Sequence, residues 1–548
     1  MTHWPKLLAA TCLVSYSAAV SAQASNSAPG MSEDGLEADA ASVSNEGGET
    51  RDENIGTDIL VTAQKRVERL SAVPLSVTAV SGERLERLGV TSPADLEKVA
   101  LGFNYRPSPQ GSPVFQIRGI GFFEEAIGVA PTVSVYIDQA PLPFSSMAEG
   151  AAFDLERVEV LKGPQGTLFG QNVTGGAINY IAAKPTSVFR MGVDAEYGRF
   201  DAINLGGFVS GPLSNTLTGR VSAKVERRDE WQRTYTRQGD DGRFVVDKGA
   251  RHRELGKRKF EVARLLLNWQ PTDLIELQLN LNGWRNRSDT QAQQLLVVTP
   301  NNPAAIPFVP NWEQFASFPP APRDNRYADW DPDRSFRRDD SFYQVALRGD
   351  IAVGLAELTS ITSYADLDAS RPVDLDATPL FNLVTENGGR LKSFSQELRL
   401  AGPALAERLR WMFGGNYAHD NTDELQSILF NGTLSEPLFD AADQDLKGNA
   451  KTWSGFGSLD YRLASTINVH ASARYTSQKR DMIGCTRDHG GGDFANFVTV
   501  AFGLPVPIPP GACTTIDTGA SSLVLSRMSS VRTMLLGDWA STGSLIPI

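Results

Sequence analysis

From about residue 187, the chain repeatedly alternates between apolar and polar positions. The clearest segments are residues 217–226, 275–282 and 467–475. In the first of them, Val221, Ala223 and Val225 alternate with polar or charged residues. A period of two predicts β-strands that have one apolar and one polar face. Soluble β-sandwiches alternate in the same way, so a single strand does not decide the architecture.

The lengths of the connections between these strands are more informative. Short turns alternate with long polar stretches; the turns are 210–216, 270–274 and 463–466, and the long stretches are 228–256, 286–338 and 421–450. Short turns at one rim and long loops at the other are typical of transmembrane β-barrels. We count about eleven strands of roughly ten residues each. The sequence therefore predicts an antiparallel transmembrane β-barrel over this part of the chain.

The first residues predict export from the cytoplasm. A basic residue, Lys6, precedes an apolar stretch at 7–20, and Ala22-Gln23-Ala24 resembles a cleavage site. We therefore interpret residues 1–24 as a signal peptide, since the apolar stretch is too short for a membrane anchor. Residues 25–56 are acidic and poor in large apolar residues, which predicts a disordered linker. No basic block indicates nucleic-acid binding.

Residues 57–185 predict a small mixed α/β domain. Short β-prone segments alternate with turns, and Ser92-Pro93-Ala94-Asp95 has the residues that favour a helix start. The glycine-rich segment 162–170 lacks the Gly-Lys-Ser/Thr ending of a phosphate-binding loop, which argues against nucleotide binding.

This domain resembles the plug domain of TonB-dependent outer-membrane receptors. The matching motifs are DILVTAQK (58–65), VPLSVTAVSG (73–82), QIRGIG (116–121), VSVYID (133–138) and DLERVEVLKGPQGTLFGQNVTGGAIN (154–179). The resemblance implies that residues 57–185 hold the TonB box and plug, and that 186–548 form the N-terminal part of the barrel. Because plugged outer-membrane transporters have about 22 strands, we expect an incomplete antiparallel barrel of about half that size. Two positions depart from the family pattern: Gln171 replaces the usual Arg, and Gln139 replaces the usual Gly. The first departure affects a plug–barrel polar contact and the second affects a turn.

The resemblance also assigns residues to roles. The TonB box, which the inner-membrane partner grasps, comprises Asp58, Ile59, Leu60, Val61, Thr62 and Ala63. For ligand contacts we expect residues in the apical plug loops, namely Tyr105, Arg106, Phe122 and Phe123, because aromatic and Arg side chains are enriched where binding energy concentrates. Packing of the two Phe residues against the barrel wall is the alternative. For plug–barrel ion pairs we expect Arg118, Arg157, Glu156 and Glu159.

Cysteine usage predicts one disulfide. Cys12 lies in the predicted signal peptide, which leaves Cys485 and Cys513 in a Gly/Pro-rich stretch. Because an exported chain enters an oxidising compartment, we expect these two to be joined in a stapled external loop. Two free thiols are the alternative.

The resemblance implies a receptor of the bacterial outer membrane that actively takes up a scarce ligand. A ferric siderophore is the family's commonest ligand; oligosaccharides, cobalamin and aromatic compounds are alternatives. The implied partners are TonB with the ExbB–ExbD energising complex, outer-membrane lipid and a small ligand such as a metal–siderophore chelate. Five histidines are scattered without metal-ligand spacing. We therefore expect no catalytic residues, no metal site and no cofactor, and hence no enzyme.

Residues 527–548 do not alternate as a barrel strand should and lack the family's terminal aromatic residue. Codons compatible with this stretch, read in a shifted frame, can encode a sequence similar to the family's next strand. We therefore expect a C-terminally truncated receptor, with a frameshift near 520–527 as the explanation. A genuine but diverged terminus and a non-functional gene fragment are the alternatives.

Overall fold

The structure is a computed structural model that describes residues 59–108, 111–123, 126–249, 253–299, 312–430, 439–464, 466–501, 503–504, 506–514 and 526–543. The predicted signal peptide, the predicted linker and Asp58 lie outside these residues. No helix among the described residues is long and apolar enough to cross a membrane.

The N-terminal part of the described chain is a small α/β domain, here called the plug. Its elements are β1 (Leu60–Val61), β2 (Glu68–Arg69), β3 (Val77–Ser81), α1 (Gly82–Arg87), β4 (Phe103–Pro107), β5 (Pro113–Ile117), β6 (Val133–Ile137), β7 (Ala140–Leu142), β8 (Leu155–Lys162), α2 (Gly166–Phe169) and β9 (Gly176–Ala182). The helix start at Ser92 opens a 3-10 helix, Pro93–Lys98, with a reciprocal capping box between Ser92 and Asp95.

A five-stranded sheet forms the centre of the plug, in the order β3-β8-β9-β6-β7. Neighbouring strands are antiparallel except β6 and β9, which are parallel. Val158 and Val160 pack in one apolar cluster, whereas Leu161 and Tyr136 pack in another on the opposite face. The sheet is therefore buried on both faces, which explains why its strands lack the alternation seen later in the chain.

The rest of the described chain forms a twelve-stranded antiparallel sheet. In chain order its strands and the intervening elements are β10 (Arg190–Gly198), β11 (Ala202–Pro212), β12 (Leu217–Arg228), the loop strands β13 (Gln232–Arg233), β14 (Thr236–Gln238), β15 (Phe244–Val246) and β16 (Glu254–Leu255), β17 (Arg258–Thr272), β18 (Ile275–Asn286), α3 (Trp312–Ala316), β19 (Asp340–Val353), β20 (Ala356–Asp374), β21 (Leu383–Ala404), β22 (Leu409–Phe430), β23 (Ala441–Ala464), β24 (Ile467–Asp488), α4 (Asp493–Ala501) and β25 (Ser526–Gly543). Each barrel strand pairs with the next, and β10 and β25 are the outer strands of the order. The predicted fold, a plug followed by an incomplete antiparallel barrel, is confirmed.

The polar face of this sheet points inward, toward the plug, and its apolar face points outward. On β12, Arg220 and Ser222 are 8% and 2% exposed, whereas Val221 between them is 56% exposed. On β24, Ser472 and Arg474 are buried while Tyr475 is exposed. An outward apolar surface is the reverse of a soluble sandwich and is the arrangement expected of a sheet that faces lipid.

The connections separate into two rims. At one rim the strands are joined by the short turns 213–216, 273–274, 354–355 and 405–408, and Ala464 on β23 pairs with Ile467 on β24. The opposite rim, here called the long-loop rim, carries the described residues of the segments between β12 and β17, between β18 and β19 and after β24, together with shorter connections. The predicted long loop at 421–450 was wrong, because β22 continues to Phe430 and β23 begins at Ala441. Polar residues there continue the backbone ladder as a projecting hairpin, for which apolar alternation is not required.

The C-terminal expectation also needs correction. Residues 526–543 form β25, which pairs in continuous antiparallel register with β24 from Ile467 to Gly484. The expectation that the stretch from residue 527 does not form a strand was therefore wrong for these residues. Strand pairing rests on backbone hydrogen bonds, which do not require alternating side chains.

A disulfide attaches the last described connection at the long-loop rim to the end of β24. The structure joins Cys485 on β24 to Cys513 by a disulfide, with their Cα atoms 5.5 Å apart. Helix α4 lies between them and packs Phe494 and Val498 into an apolar cluster with Ile508. The Asp488 carboxylate accepts hydrogen bonds from four backbone N–H groups at the start of this segment, which fixes its entry.

Candidate functional site

The plug lies inside the curved sheet, and its two ends face the two rims. At the long-loop rim, Arg371 near the end of β20 donates to the hydroxyls of Ser112 and Ser146 at 3.0 and 3.2 Å. Trp284 near the end of β18 donates to the Met147 carbonyl oxygen at 3.2 Å. Ser112 lies just before β5, which pairs with the strand that holds Tyr105 and Arg106. Gly128, in the connection that holds Phe122 and Phe123, lies against Glu424 in the long-loop half of β22. Both sets of predicted ligand residues are therefore on the side of the plug that faces the long-loop rim.

Three of the four predicted ligand residues are exposed. Phe122 and Phe123 are 52% and 54% exposed within the described part of the chain. The Arg106 side chain is 57% exposed, with Glu97 at 3.3 Å. Their chemistry suits a ligand that is both anionic and aromatic or apolar.

Tyr105, the fourth predicted ligand residue, is placed differently. Its ring packs against the plug core, 5.9 Å from the Phe115 ring. Burial, reinforced by the nearby Glu149 carboxylate, raises the pKa of Tyr105 to about 12. Because alternate residues of a strand point to opposite faces, Tyr105 faces the plug interior while Arg106 faces outward.

The described part of the predicted TonB box is held inside the protein. Leu60 and Val61 pair with Glu68 and Arg69 in a small hairpin, residues 59–69, here called the N-terminal hairpin. Val61 and Ala63 are fully buried, and Leu60 is 48% exposed. The remaining member, Asp58, lies outside the described residues.

Thr62 is the polar attachment of this segment to the plug sheet. Its N–H and its hydroxyl each donate to the Glu159 carboxylate at 2.9 Å. The Asn179 side-chain amide donates to the Thr62 hydroxyl at 3.1 Å. Glu159 itself is fully buried. Releasing the segment would remove two donors from a buried carboxylate, which opposes spontaneous release.

The N-terminal hairpin is also attached to the barrel wall near the short-turn rim. Lys65 pairs with Glu397 on β21, and Arg66 pairs with Asp460 on β23 at 2.8 Å. The Lys65 side chain is 4% exposed and lies over the rings of Phe169 and Phe456. Burial lowers the pKa of Lys65 to about 8, against the opposing effect of the Glu397 carboxylate. The charged state of Lys65 therefore depends strongly on the Glu397 carboxylate.

Among the described residues, the four residues predicted to form plug–barrel ion pairs contact other plug residues instead. Arg157 pairs with Glu156 and with Glu159, all on β8. Arg118 donates to the Ser76 hydroxyl of the plug at 2.9 Å. Adjacent and alternate positions on one strand bring these charges together before any barrel residue is reached.

The plug–barrel ion pairs of the described residues involve other side chains. Near the short-turn rim they are those of Lys65 and Arg66, with Glu68–Arg410 at 3.5 Å. Asp154 pairs with Arg220 on β12. Near the long-loop rim, Glu149 pairs with Arg338 at 2.9 Å and Arg258 at 3.7 Å. Sequence reasoning missed them because the partners are far apart in the chain, 332 residues for Lys65 and Glu397.

The two departures from the family pattern both contact the barrel. The Gln171 side-chain oxygen accepts from the Gln478 amide at 2.7 Å, which keeps a polar contact without charge. Gln139 adopts a φ of 69°, a conformation that favours glycine, and its side-chain oxygen accepts from Arg399 at 2.7 Å. A polar cavity between plug and barrel is lined by both glutamines together with Lys65, Glu397 and Arg474.

Comparison with known proteins agrees with this geometry. A family model described as the TonB-dependent receptor plug domain matches residues 69–177. The pesticin receptor of Yersinia pestis is 30% identical over 220 residues, which cover 39% of this chain and 30% of that protein. The ferripyoverdine receptor of Pseudomonas aeruginosa is 26% identical over 180 residues, or 32% of this chain and 22% of that one. This chain thus matches less than a third of the length of these relatives.

Solved structures share the fold over most of the chain. The ferric yersiniabactin uptake receptor of Yersinia pestis superposes with a TM-score of 0.64 at 18% identity, covering 86% of this chain and 62% of that one. The siderophore receptor PiuA of Acinetobacter baumannii gives a TM-score of 0.60 at 13% identity, covering 87% and 63%.

A plug enclosed by an antiparallel sheet with a polar interior and an apolar exterior defines a plugged β-barrel protein of the bacterial outer membrane. Residues 69–177 match the TonB-dependent receptor plug domain, and over the parts compared the chain is similar to receptors of that family.

Proposed function

We propose that this receptor takes up a scarce ligand across the outer membrane, and that the ligand is a ferric siderophore. The observation that carries the proposal is the orientation of the plug between the two rims of the barrel. Exposed Arg106, Phe122 and Phe123 belong to the long-loop end, whereas the TonB-box segment is held near the short-turn rim. In an outer-membrane barrel the long loops face outward and the short turns face the periplasm.

The proposed mechanism uses binding energy and no covalent chemistry. A ligand bound at the exposed plug loops favours the released state of residues 59–63 only if it binds that state more tightly. TonB, energised by ExbB–ExbD, then adds a strand to the released segment and pulls. Because Leu60–Val61 already pair with Glu68–Arg69, TonB must replace that pairing. It must also separate Thr62 from Glu159.

The choice of ferric siderophores rests on the relatives. They include receptors named for ferripyoverdine, and solved structures include import receptors for ferric yersiniabactin and ferric catecholates. Exposed Arg and Phe side chains are suited to anionic chelates that carry aromatic groups.

The test separates binding from uptake. A strain that lacks the gene is complemented with the full chain, with Phe122→Ala/Phe123→Ala, or with Leu60→Pro. Each strain is given ferric yersiniabactin, ferripyoverdine or a ferric catecholate under iron limitation. For the transported chelate, we expect the double Phe variant to lose about 10- to 100-fold in binding and the corresponding uptake. Leu60→Pro, which cannot donate in a strand pairing, keeps binding and loses uptake.

Two results would overturn the proposal. One is unchanged iron uptake from all three chelates when the gene is absent. The other is full uptake by the Leu60→Pro strain, which would exclude strand addition at the TonB-box segment.

A further inference from the structure

Three basic residues lie side by side on neighbouring strands at the long-loop rim. In the register of β12 and β17, Arg227 is directly opposite Lys259. The Arg287 N–H, just beyond β18, donates to the Lys259 carbonyl oxygen at 2.8 Å, so Arg287 is the next member of the row. We call Arg227, Lys259 and Arg287 the cationic row.

The cationic row is on the outward face of the barrel. Phe260, which follows Lys259, and Val262 share the inward phase of β17. They are 4% and 7% exposed, and Phe260 packs in the core cluster shared with the plug. Lys259 has the opposite phase to Phe260 and therefore points away from the plug. Arg227 shares its phase with Val225 and Val221, which are 37% and 56% exposed.

The row carries more positive charge than its protein partners neutralise. The Glu261 carboxylate serves both Arg227, at 2.5 Å, and Arg287, at 3.3 Å. Among the described residues, no carboxylate lies within ion-pair distance of Lys259. Like charges directly opposite each other on neighbouring strands destabilise a sheet, so this arrangement favours an external anion.

The level of the row indicates where that anion comes from. The next outward positions toward the membrane are Glu261 on β17 and Arg285 on β18. Beyond them the outward positions are small or apolar, with Val225 exposed on β12 and Leu265 and Leu281 paired on β17 and β18. Tyr343 on β19 is 46% exposed and pairs with Gly283 on β18. Gly283 is the next outward position after Arg285 toward the membrane. Tyrosine and other aromatic residues mark the hydrocarbon boundary of such barrels. The cationic row therefore lies at the headgroups of the outer leaflet.

We propose that the cationic row binds the phosphorylated headgroup of an outer-leaflet glycolipid on the outside of the barrel. The two guanidinium groups can each direct paired donors at phosphate oxygens, and the Lys259 ammonium adds a point charge between them. The acyl chains of such a lipid would lie along the apolar surface formed by Val221, Val225 and Leu265. The site is separate from the exposed plug loops and is independent of which ligand is transported.

The test measures lipid binding to the full chain in nanodiscs by native mass spectrometry. The probes are bis-phosphorylated lipid A, fully dephosphorylated lipid A and inorganic phosphate. The test variant is Lys259→Ala/Arg287→Ala. The control is Lys447→Ala/Lys479→Ala, which removes two more exposed cations that have their own carboxylates, Asp423 at 3.4 Å and Asp481 at 3.8 Å. The exchanged variant Lys259→Arg/Arg287→Lys keeps the charge and reports on folding.

We expect the test variant to bind bis-phosphorylated lipid A about 30-fold more weakly, with less than about threefold loss in the control and in the exchanged variant. The unmodified chain should prefer bis-phosphorylated over dephosphorylated lipid A by a similar factor. Equal binding of both lipids, or equal loss in test and control variants, would overturn the proposal. Displacement of lipid A by an equal concentration of inorganic phosphate would also overturn it, since the site would then be selective for phosphate alone.

Discussion

Removing Glu397 should loosen the N-terminal hairpin far more than removing its partner Lys65. The two residues form a buried pair, with side chains 17% and 4% exposed. After Lys65→Met, Glu397 still contacts Arg399 at 3.1 Å, and the methionine remains among Phe169 and Phe456. After Glu397→Gln, a buried ammonium is left without a carboxylate partner. Glu397→Gln is therefore the more destabilising change, because it leaves a buried charge without a partner and Lys65→Met does not.

The free-energy cost of each substitution depends on these contacts. Breaking a buried ion pair by removing one partner typically costs about 3–5 kcal/mol, whereas an apolar replacement is often close to neutral. Lys65 has an alternative to remaining charged, because burial already lowers its pKa to about 8. Losing a proton at pH 7 costs roughly 1.4 kcal/mol for each unit by which the pKa exceeds the pH, which limits the penalty. We therefore expect about 2–3 kcal/mol for Glu397→Gln and less than about 1 kcal/mol for Lys65→Met.

Hydrogen exchange of the hairpin amides measures this directly. The Lys65 N–H donates to the Thr62 carbonyl oxygen at 2.8 Å, and the Leu70 N–H donates to that of Ile59 at 2.9 Å. When local opening limits exchange, 2–3 kcal/mol corresponds to about 30- to 150-fold faster exchange in Glu397→Gln. Lys65→Met should stay within about fivefold of the unmodified chain. Exchange of the β8 and β9 amides is the internal control and should not change. Equal acceleration in both variants, or none in Glu397→Gln, would refute the reasoning.

Three further predictions concern the barrel and its loops. Cys485→Ser opens a link between residues 28 apart, and loop entropy predicts a loss of about 3.5 kcal/mol in the stability of that connection; exchange of the α4 amides checks it, and unchanged protection would contradict it. Burial raises the pKa values of Asp376, in the connection between β20 and β21, and of its neighbour Asp374; the stability that the protonated pair contributes is therefore fully present below about pH 4 and is lost as the pH rises through the raised pKa values. Exchange of amides 375–382, corrected for intrinsic rates, should be faster at pH 8.5 than at pH 5.5, and Asp374→Asn/Asp376→Asn should remove the difference. Val221→Arg places a charge on the outward face and should destabilise the barrel by about 2–4 kcal/mol if it lies near the bilayer centre; denaturant unfolding in vesicles measures this, with Thr218→Arg, on the inward phase, as the comparison.

The alternation and the plug motifs could be found from sequence because both are local signals. The side-chain phase of β12 and β24 follows from a period of two, and the structure reproduces it with Arg220 and Arg474 inside. The predicted TonB box was likewise recognised from the residues of that segment alone. Its burial against Glu159, nearly a hundred residues away, has no local signal.

The errors arose where a property depends on partners rather than on the segment itself. Polar composition predicted a loop at 421–450, but polar strands outside a membrane pair as well as apolar ones. Arg157 was expected to reach the barrel, yet Glu156 and Glu159 on its own strand neutralise it first. The residue that does reach the barrel, Lys65, is charged like many surface lysines. Only the docked geometry shows that it is buried.

The central claim is that a ligand at the outer face releases the segment held at the periplasmic face. Ala63→Cys tests it most directly, because Ala63 is fully buried and the substitution is small. Labelling of this cysteine by a membrane-impermeant maleimide is measured from the periplasmic side, with and without the ferric siderophore that supports growth. We expect slow labelling without the chelate and labelling at least about tenfold faster with it. Fast labelling in the absence of chelate, or a rate that the transported chelate does not change, would contradict it.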